Sequence, residues 1–158
     1  MTVYDMCTQD FSPANYEAPA MLAGSKQYMR RRFVGSDFTD LTTTASDSFK
    51  IFKIDKHMMV PIVYTIVTDA DDTSITLDIG YTDGTNTAAT AFEGDAALDS
   101  TGVTASSDDA IFFDDDGYYI TLVLSNLADL DDATEFTVVV GVLDLSDAGV
   151  TTEITAPV

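Results

Sequence analysis

From Phe49 onward the chain alternates. "FKIFKI" (49 to 54) sets aromatic or aliphatic side chains against lysine, the period of a half-buried strand. Phe49, Ile51 and, across a slip at Phe52, Ile54 contend for its core face. "MVPIVYTIVT" (59 to 68) is β-branched and aromatic, and its Pro61, lacking an N–H, predicts a strand beginning or an edge. "SITLDIGYTDG" (74 to 84) places Ile75, Leu77, Ile79 and Tyr81 on one face and Thr76, Asp78 and Thr82 toward solvent, then ends in the turn signal Asp83-Gly84. "GYYITLVLSN" (117 to 126), "EFTVVVGVLDL" (135 to 145) and a short "VTTEIT" (150 to 155) complete the strands. "ATAFEGDAALDS" (89 to 100) predicts at most one helical turn in a crossing loop. Short strands punctuated by Asp, Gly, Asn and Ser predict an all-β fold, an antiparallel sandwich of jelly-roll or Greek-key type.

Residues 1 to 46 show no sustained period, with prolines at 13 and 19, glycines at 24 and 35 and a Ser/Thr/Asp tract at the end. They nevertheless carry Phe11, Tyr16, Met21, Leu22, Tyr28, Met29, Phe33 and Phe38, more large apolar groups than a disordered tail holds. The segment reads as an extended N-terminal arm that orders by packing on its own domain or on a neighbour, with a short helix near Glu17 to Tyr28 weakly supported. The expected division is an arm over 1–46 and a β-sandwich domain over 47–158.

Charge sharpens that division. The chain of 158 residues has 7 Lys+Arg against 27 Asp+Glu, a formal net charge of -20. All the basic residues lie between Lys26 and Lys56, so the chain from His57 on carries acids and no Lys or Arg. Such a surface repels nucleic acid phosphate and anionic lipid, which excludes both as partners of that part. The start "MTVYDMCTQD" has neither a basic nor an apolar region of a signal peptide, no apolar run reaches membrane-spanning length, and Cys7 is the lone cysteine. Synthesis in a reducing cytoplasm is expected.

Chemistry is sparse. "IFFDDDGYY" (111 to 119) is tested as a calcium loop by counting back from Gly117, which puts Phe112, Asp114 and Asp116 at the early ligand positions and Val123 at the twelfth. First and last ligands are missing, so the stretch reads as an acidic turn. A site of another kind would need Asp114 to Asp116 to meet "DADD" (69 to 72) or "DLDD" (129 to 132). His57 is the one histidine, no G-x-S-x-G elbow occurs, and aspartate pairs are too abundant to single any out. No catalytic residue, metal ligand or cofactor is assigned, and the protein is not expected to be an enzyme.

The remaining feature is "KQYMRRRF" (26 to 33). Its arginines and rings suit a nucleic-acid clamp, internal neutralisation of an acidic sandwich, or docking on acidic patches of a partner or a neighbouring copy. Repulsion between an acidic chain and phosphate counts against the first. The partner-binding candidates are Tyr28, Arg30, Arg31, Arg32 and Phe33.

"IDKHMMVPIVYTIVTDADDTSITLDIGYTDG" followed by "DDDGYYITLVLSNLADLDDATEFTVVVGVLDL" resembles small structural proteins of tailed bacteriophage virions. The resemblance covers about residues 49 to 146 and is one of strand pattern. It implies a jelly-roll or related sandwich that decorates or cements the capsid surface, partnered by the major capsid protein or other virion subunits, as a homo-oligomer with an N-terminal arm gripping the shell. The other reading is a carbohydrate-binding or tail/adhesin sandwich, with or without calcium; the absence of Trp weighs against a sugar platform.

Overall fold

The computed structural model describes residues 3–5, 16–17, 26–38, 47–106 and 110–145. The strands are β1 (Val3–Asp5), β2 (Tyr16–Glu17), β3 (Lys26–Val34), β4 (Ser48–Ile54), β5 (Met58–Asp69), β6 (Thr76–Thr82), β7 (Thr87–Ala97), β8 (Gly102–Ala105), β9 (Ile111–Phe113), β10 (Tyr118–Leu124) and β11 (Glu135–Asp144). They form two sheets, one of order β1-β4-β10-β6-β7 and one of order β2-β3-β11-β5-β8, with β9 also pairing β5. All pairs are antiparallel except β1 against β4. The result is the expected all-β sandwich of jelly-roll or Greek-key type.

Alternation builds the core. Ile75, Leu77 and Ile79 point inward as their spacing requires, and so do Ile120, Leu122 and Leu124 and Phe136, Val138, Val140 and Val142. The slip at Phe52 is a bulge: the register against β10 shifts between Ile120 and Thr121, and Phe49, Ile51, Phe52 and Ile54 are all buried. Aromatic contacts close both ends of the core. At one end Phe33 stacks on Phe136 with ring centroids 5.2 Å apart, and Phe38 meets Phe49 edge-on at 5.1 Å. At the other, Phe113 lies 5.4 Å from Tyr81 and 5.0 Å from Tyr118.

Several expectations are corrected. Lys26–Val34, expected to lack a strand period, pairs with β11 over nine residues, from Leu143 opposite Lys26 to Glu135 opposite Val34. The helix suggested near Glu17 to Tyr28 is strand at both of its described ends. The signal was hidden because an arginine, Arg31, occupies an inward position between Met29 and Phe33. The helical turn suggested within 89–100 is β7, held on β6, so pairing overrides the helix preference of its alanines. Pro61 begins no strand; it sits inside the twelve-residue β5, which is flanked by β11 on one side and β8 and β9 on the other. There it falls between the stretch paired with β9 (Met58–Val60) and the stretch paired with β8 (Tyr64–Val67), beside a bulge against β11, so its missing N–H costs no ladder bond. The suggested strand at 150–155 lies outside the described residues.

Candidate interaction surface

Strand alternation divides the five partner-binding candidates. Tyr28, Arg30 and Arg32 face outward on β3, whereas Arg31 and Phe33 are 1% and 0% exposed. Phe33 belongs to the aromatic core. Arg31 crosses the sandwich: its Nη1 donates to the Ile51 carbonyl on the other sheet at 3.4 Å, and its guanidinium lies 5.2 Å from the Phe33 ring. These two side chains serve the fold and cannot touch a partner while it is intact.

The outward residues belong to a face that register defines row by row. Tyr28 stands beside Gly141 and Ile62, Arg30 beside Val139, Tyr64 and Ala105, Arg32 beside Thr137, Ile66 and Val103. Lys26, Leu143, Met59 and Phe112 make the row at the other end. An added Cβ at Gly141 would meet Ile62 Cγ2 at 3.0 Å and Tyr28 Cε1 at 3.4 Å, so the Tyr28 ring covers the glycine. Arg32 pairs with Glu135, whose other oxygen accepts from Thr68 Oγ1 at 2.7 Å, tying β3, β11 and β5 together at that corner. The Arg32 contact, then the Thr68 hydroxyl, hold the Glu135 carboxyl below its ordinary range.

Three large apolar side chains are exposed among the described residues, Tyr28 (50%), Val103 (65%) and Phe112 (49%), and all three lie on this face. The first sheet differs. Its outer face carries Lys50, 4.3 Å from the Tyr119 ring, and Lys53. Near Gly80 it is covered, since a Cβ there would sit 1.8 Å from the Ala88 carbonyl, and the neighbouring Thr121 is fully buried. Sequence reasoning singled out "KQYMRRRF" without reading it as strand β3, and missed β8 and β9 because "GVTA" and "IFF" are too short to show a period.

The acidic clusters go to opposite ends. Asp69 closes one end of β5, while Asp114–Asp116 follow Phe113, which pairs with Met58 at the other; twelve strand residues span roughly 36 Å. "DADD" and "DLDD" do meet, but through a carboxylate already engaged. Asp71 Oδ1 accepts from Thr73 N (2.8 Å) and Oγ1 (2.6 Å), and Oδ2 from Asp131 N (2.9 Å) and Thr134 Oγ1 (2.8 Å). Burial pushes this carboxyl up, and the four donors outweigh it to leave it below the ordinary value. In the "DDDG" turn Asp116 Oδ1 caps Lys56 N at 3.1 Å and Gly117 takes φ 96°, so the stretch joins the two sheets as a turn. Among the described residues no group of three or more His, Cys, Asp or Glu is placed to hold a metal ion. His57, exposed at φ 65°, makes the turn into β5, its N–H donating to the Phe113 carbonyl.

The same fold occurs in chains from phage capsids. A chain of the cyanophage Pam1 capsid asymmetric unit superposes with TM-score 0.56 at 17% identity, over 88% of this chain and 99% of that one. A chain of the acid-stable capsid of Helicobacter pylori bacteriophage KHP30 gives 0.56 at 11% identity, over 79% and 92%. A chain of the Ralstonia phage GP4 capsid gives 0.56 at 14% identity, over 81% and 89%. No family profile and no curated protein sequence matches the chain.

Proposed function

We propose that this protein is a structural component of a tailed-phage virion that sits on the head shell and stabilises it, as decoration or cement proteins do. The observation that carries the reading is the nearly end-to-end likeness of whole chain to whole chain with three phage capsid components. The outward Tyr28, Arg30 and Arg32, beside exposed Val103 and Phe112, supply a contact surface, and no catalytic role is assigned. Because Lys26–Phe38 belong to the sandwich, as do β1 and β2 through their pairing with β4 and β3, the arm in this proposal is the rest of the chain before β3. Its partners are the major capsid protein and other virion subunits, and no cofactor is called for.

Particles of the parent phage test this directly. Gradient-purified virions should contain the chain by mass spectrometry, and heads assembled without it should release DNA at a lower temperature. Absence of the chain from virions would sink the virion reading. Its presence without any effect on head stability would sink the cement role.

A further inference from the structure

We propose that Asp116 is a site of spontaneous isomerisation, at which the Gly117 amide attacks the Asp116 side chain and converts the link to isoaspartate, while the chain's other Asp-Gly pair is protected by its hydrogen bonds. The inference does not draw on the virion role. Asp-Gly occurs twice, at Asp83-Gly84 and Asp116-Gly117. Glycine leaves the attacking nitrogen unhindered, because no Cβ crowds it. Gly117 N forms a bond to Asp116 Cγ, and the amide proton leaves with the carboxyl hydroxyl as water, closing a succinimide ring. A second water then opens either ring C–N bond. Opening at one returns aspartate; opening at the other leaves the main chain running through Cβ and Cγ. Water is the only co-reactant, and nothing is oxidised or reduced.

Exposure does not separate the two pairs. Asp83, Gly84 and Asp116 are exposed and Gly117 partly so. Both glycines take positive φ, 89° and 96°, and a Cβ on either would meet nothing within 4 Å. Hydrogen bonding does separate them. Gly84 N donates to Thr82 Oγ1 at 3.0 Å. The Asp83 carboxylate is held on both oxygens, Oδ1 by the amides of Thr85 (2.7 Å) and Asn86 (2.6 Å) and Oδ2 by Asn86 Nδ2 (3.0 Å). Cyclisation there must free the nucleophile, turn a tethered carboxylate and protonate it. Those donors, the Asn86 amide first, hold the Asp83 carboxyl below its ordinary value and so oppose the last of these steps. At Asp116, by contrast, Oδ1 accepts from Lys56 N at 3.1 Å, and among the described residues the Gly117 amide has no acceptor. The consequence for the fold is local. Asp116 lies between β9 of the second sheet and β10 of the first, so isoaspartate adds a main-chain carbon to the turn that joins the sheets and takes the side-chain carboxylate away from Lys56 N.

Ageing the full chain at neutral pH and physiological temperature is the test. Chymotryptic cleavage after Tyr81 and Phe92, and after Phe113 and Tyr118, puts the two Asp-Gly pairs on separate peptides. Labelling by an isoaspartyl methyltransferase counts isoaspartate in each peptide, and electron-transfer fragmentation assigns it to a residue. In the folded chain the label should collect at Asp116 and exceed that at Asp83 by at least about tenfold. In urea, where both turns are lost, the two should label alike. Asp116→Glu, which keeps a carboxylate but would have to close a larger ring, should abolish the label there. In the aged wild type the Lys56 amide, deprived of its acceptor, should exchange its proton faster. Equal labelling of the two pairs in the folded chain, or none at Asp116, overturns the proposal. A preference for Asp116 that persists in urea overturns the protection of Asp83 by its hydrogen bonds, and unchanged exchange at Lys56 overturns the consequence for the turn.

Discussion

Asp71 gathers four donors onto one buried carboxylate and so fastens the loop after β5 to the loop before β11. Its removal strands the Asp131 amide and the Thr134 hydroxyl, and Asp71→Ala should cost about 2–4 kcal/mol of stability. Asp71→Asn should also destabilise, because its NH2 group would face one of those donors. The pH dependence has a definite sign. The folded carboxyl lies below its ordinary value of 3.8, so its contribution is fully present above about pH 4 and is lost as pH falls through the folded value. Thermal unfolding should therefore show a difference between wild type and Asp71→Asn that is level from pH 7 to about 5 and shrinks below about 4. A difference that grew on acidification would refute this role. Nothing in the sequence marked Asp71 among 27 acids, because two of its four donors come from Asp131 and Thr134, far along the chain.

The strands that were legible at the element scale bury one face by alternation over most of their length, such as β6 with Leu77 and Ile79 and β11 with Phe136, Val138 and Val140. Those that were not depend on partners. β3 breaks the apolar code with Arg31, a buried cation whose Nη1 reaches a carbonyl on the opposite sheet, and β7 is alanine-rich and held by β6. The exposed face was half legible, since Arg30, Arg32 and Tyr28 stood out, but their alternation with Arg31 and Phe33 required knowing that the segment is a strand. Glycines show how local chemistry serves each element. At Gly80 on β6 a Cβ would fall 1.8 Å from the Ala88 carbonyl, while at Gly102 on β8 nothing lies within 4 Å. Gly80→Ala should destabilise by at least about 2 kcal/mol, since backbone must move, and Gly102→Ala should stay within about 0.5 kcal/mol of wild type. Urea unfolding checks both, and equal effects would mean that β7 does not lie over β6 as described.

Charge acts on the molecule as a whole. From β5 onward every charged residue is an acid, and the few cations sit on β3 and β4 or in the turn at Lys56. Among the described residues the pairs Arg32–Glu135 and Lys53–Asp55 lie at the surface, and pairs of that kind each contribute about 0–1 kcal/mol. Self-repulsion spread over the remaining aspartates is therefore the larger electrostatic effect, and it opposes the compact state. Salt should relieve it, because the screening length falls from about 30 Å at 0.01 M to about 3 Å at 1 M. The melting temperature should rise by several degrees between those salt concentrations, and a fall would show that the ion pairs outweigh the repulsion.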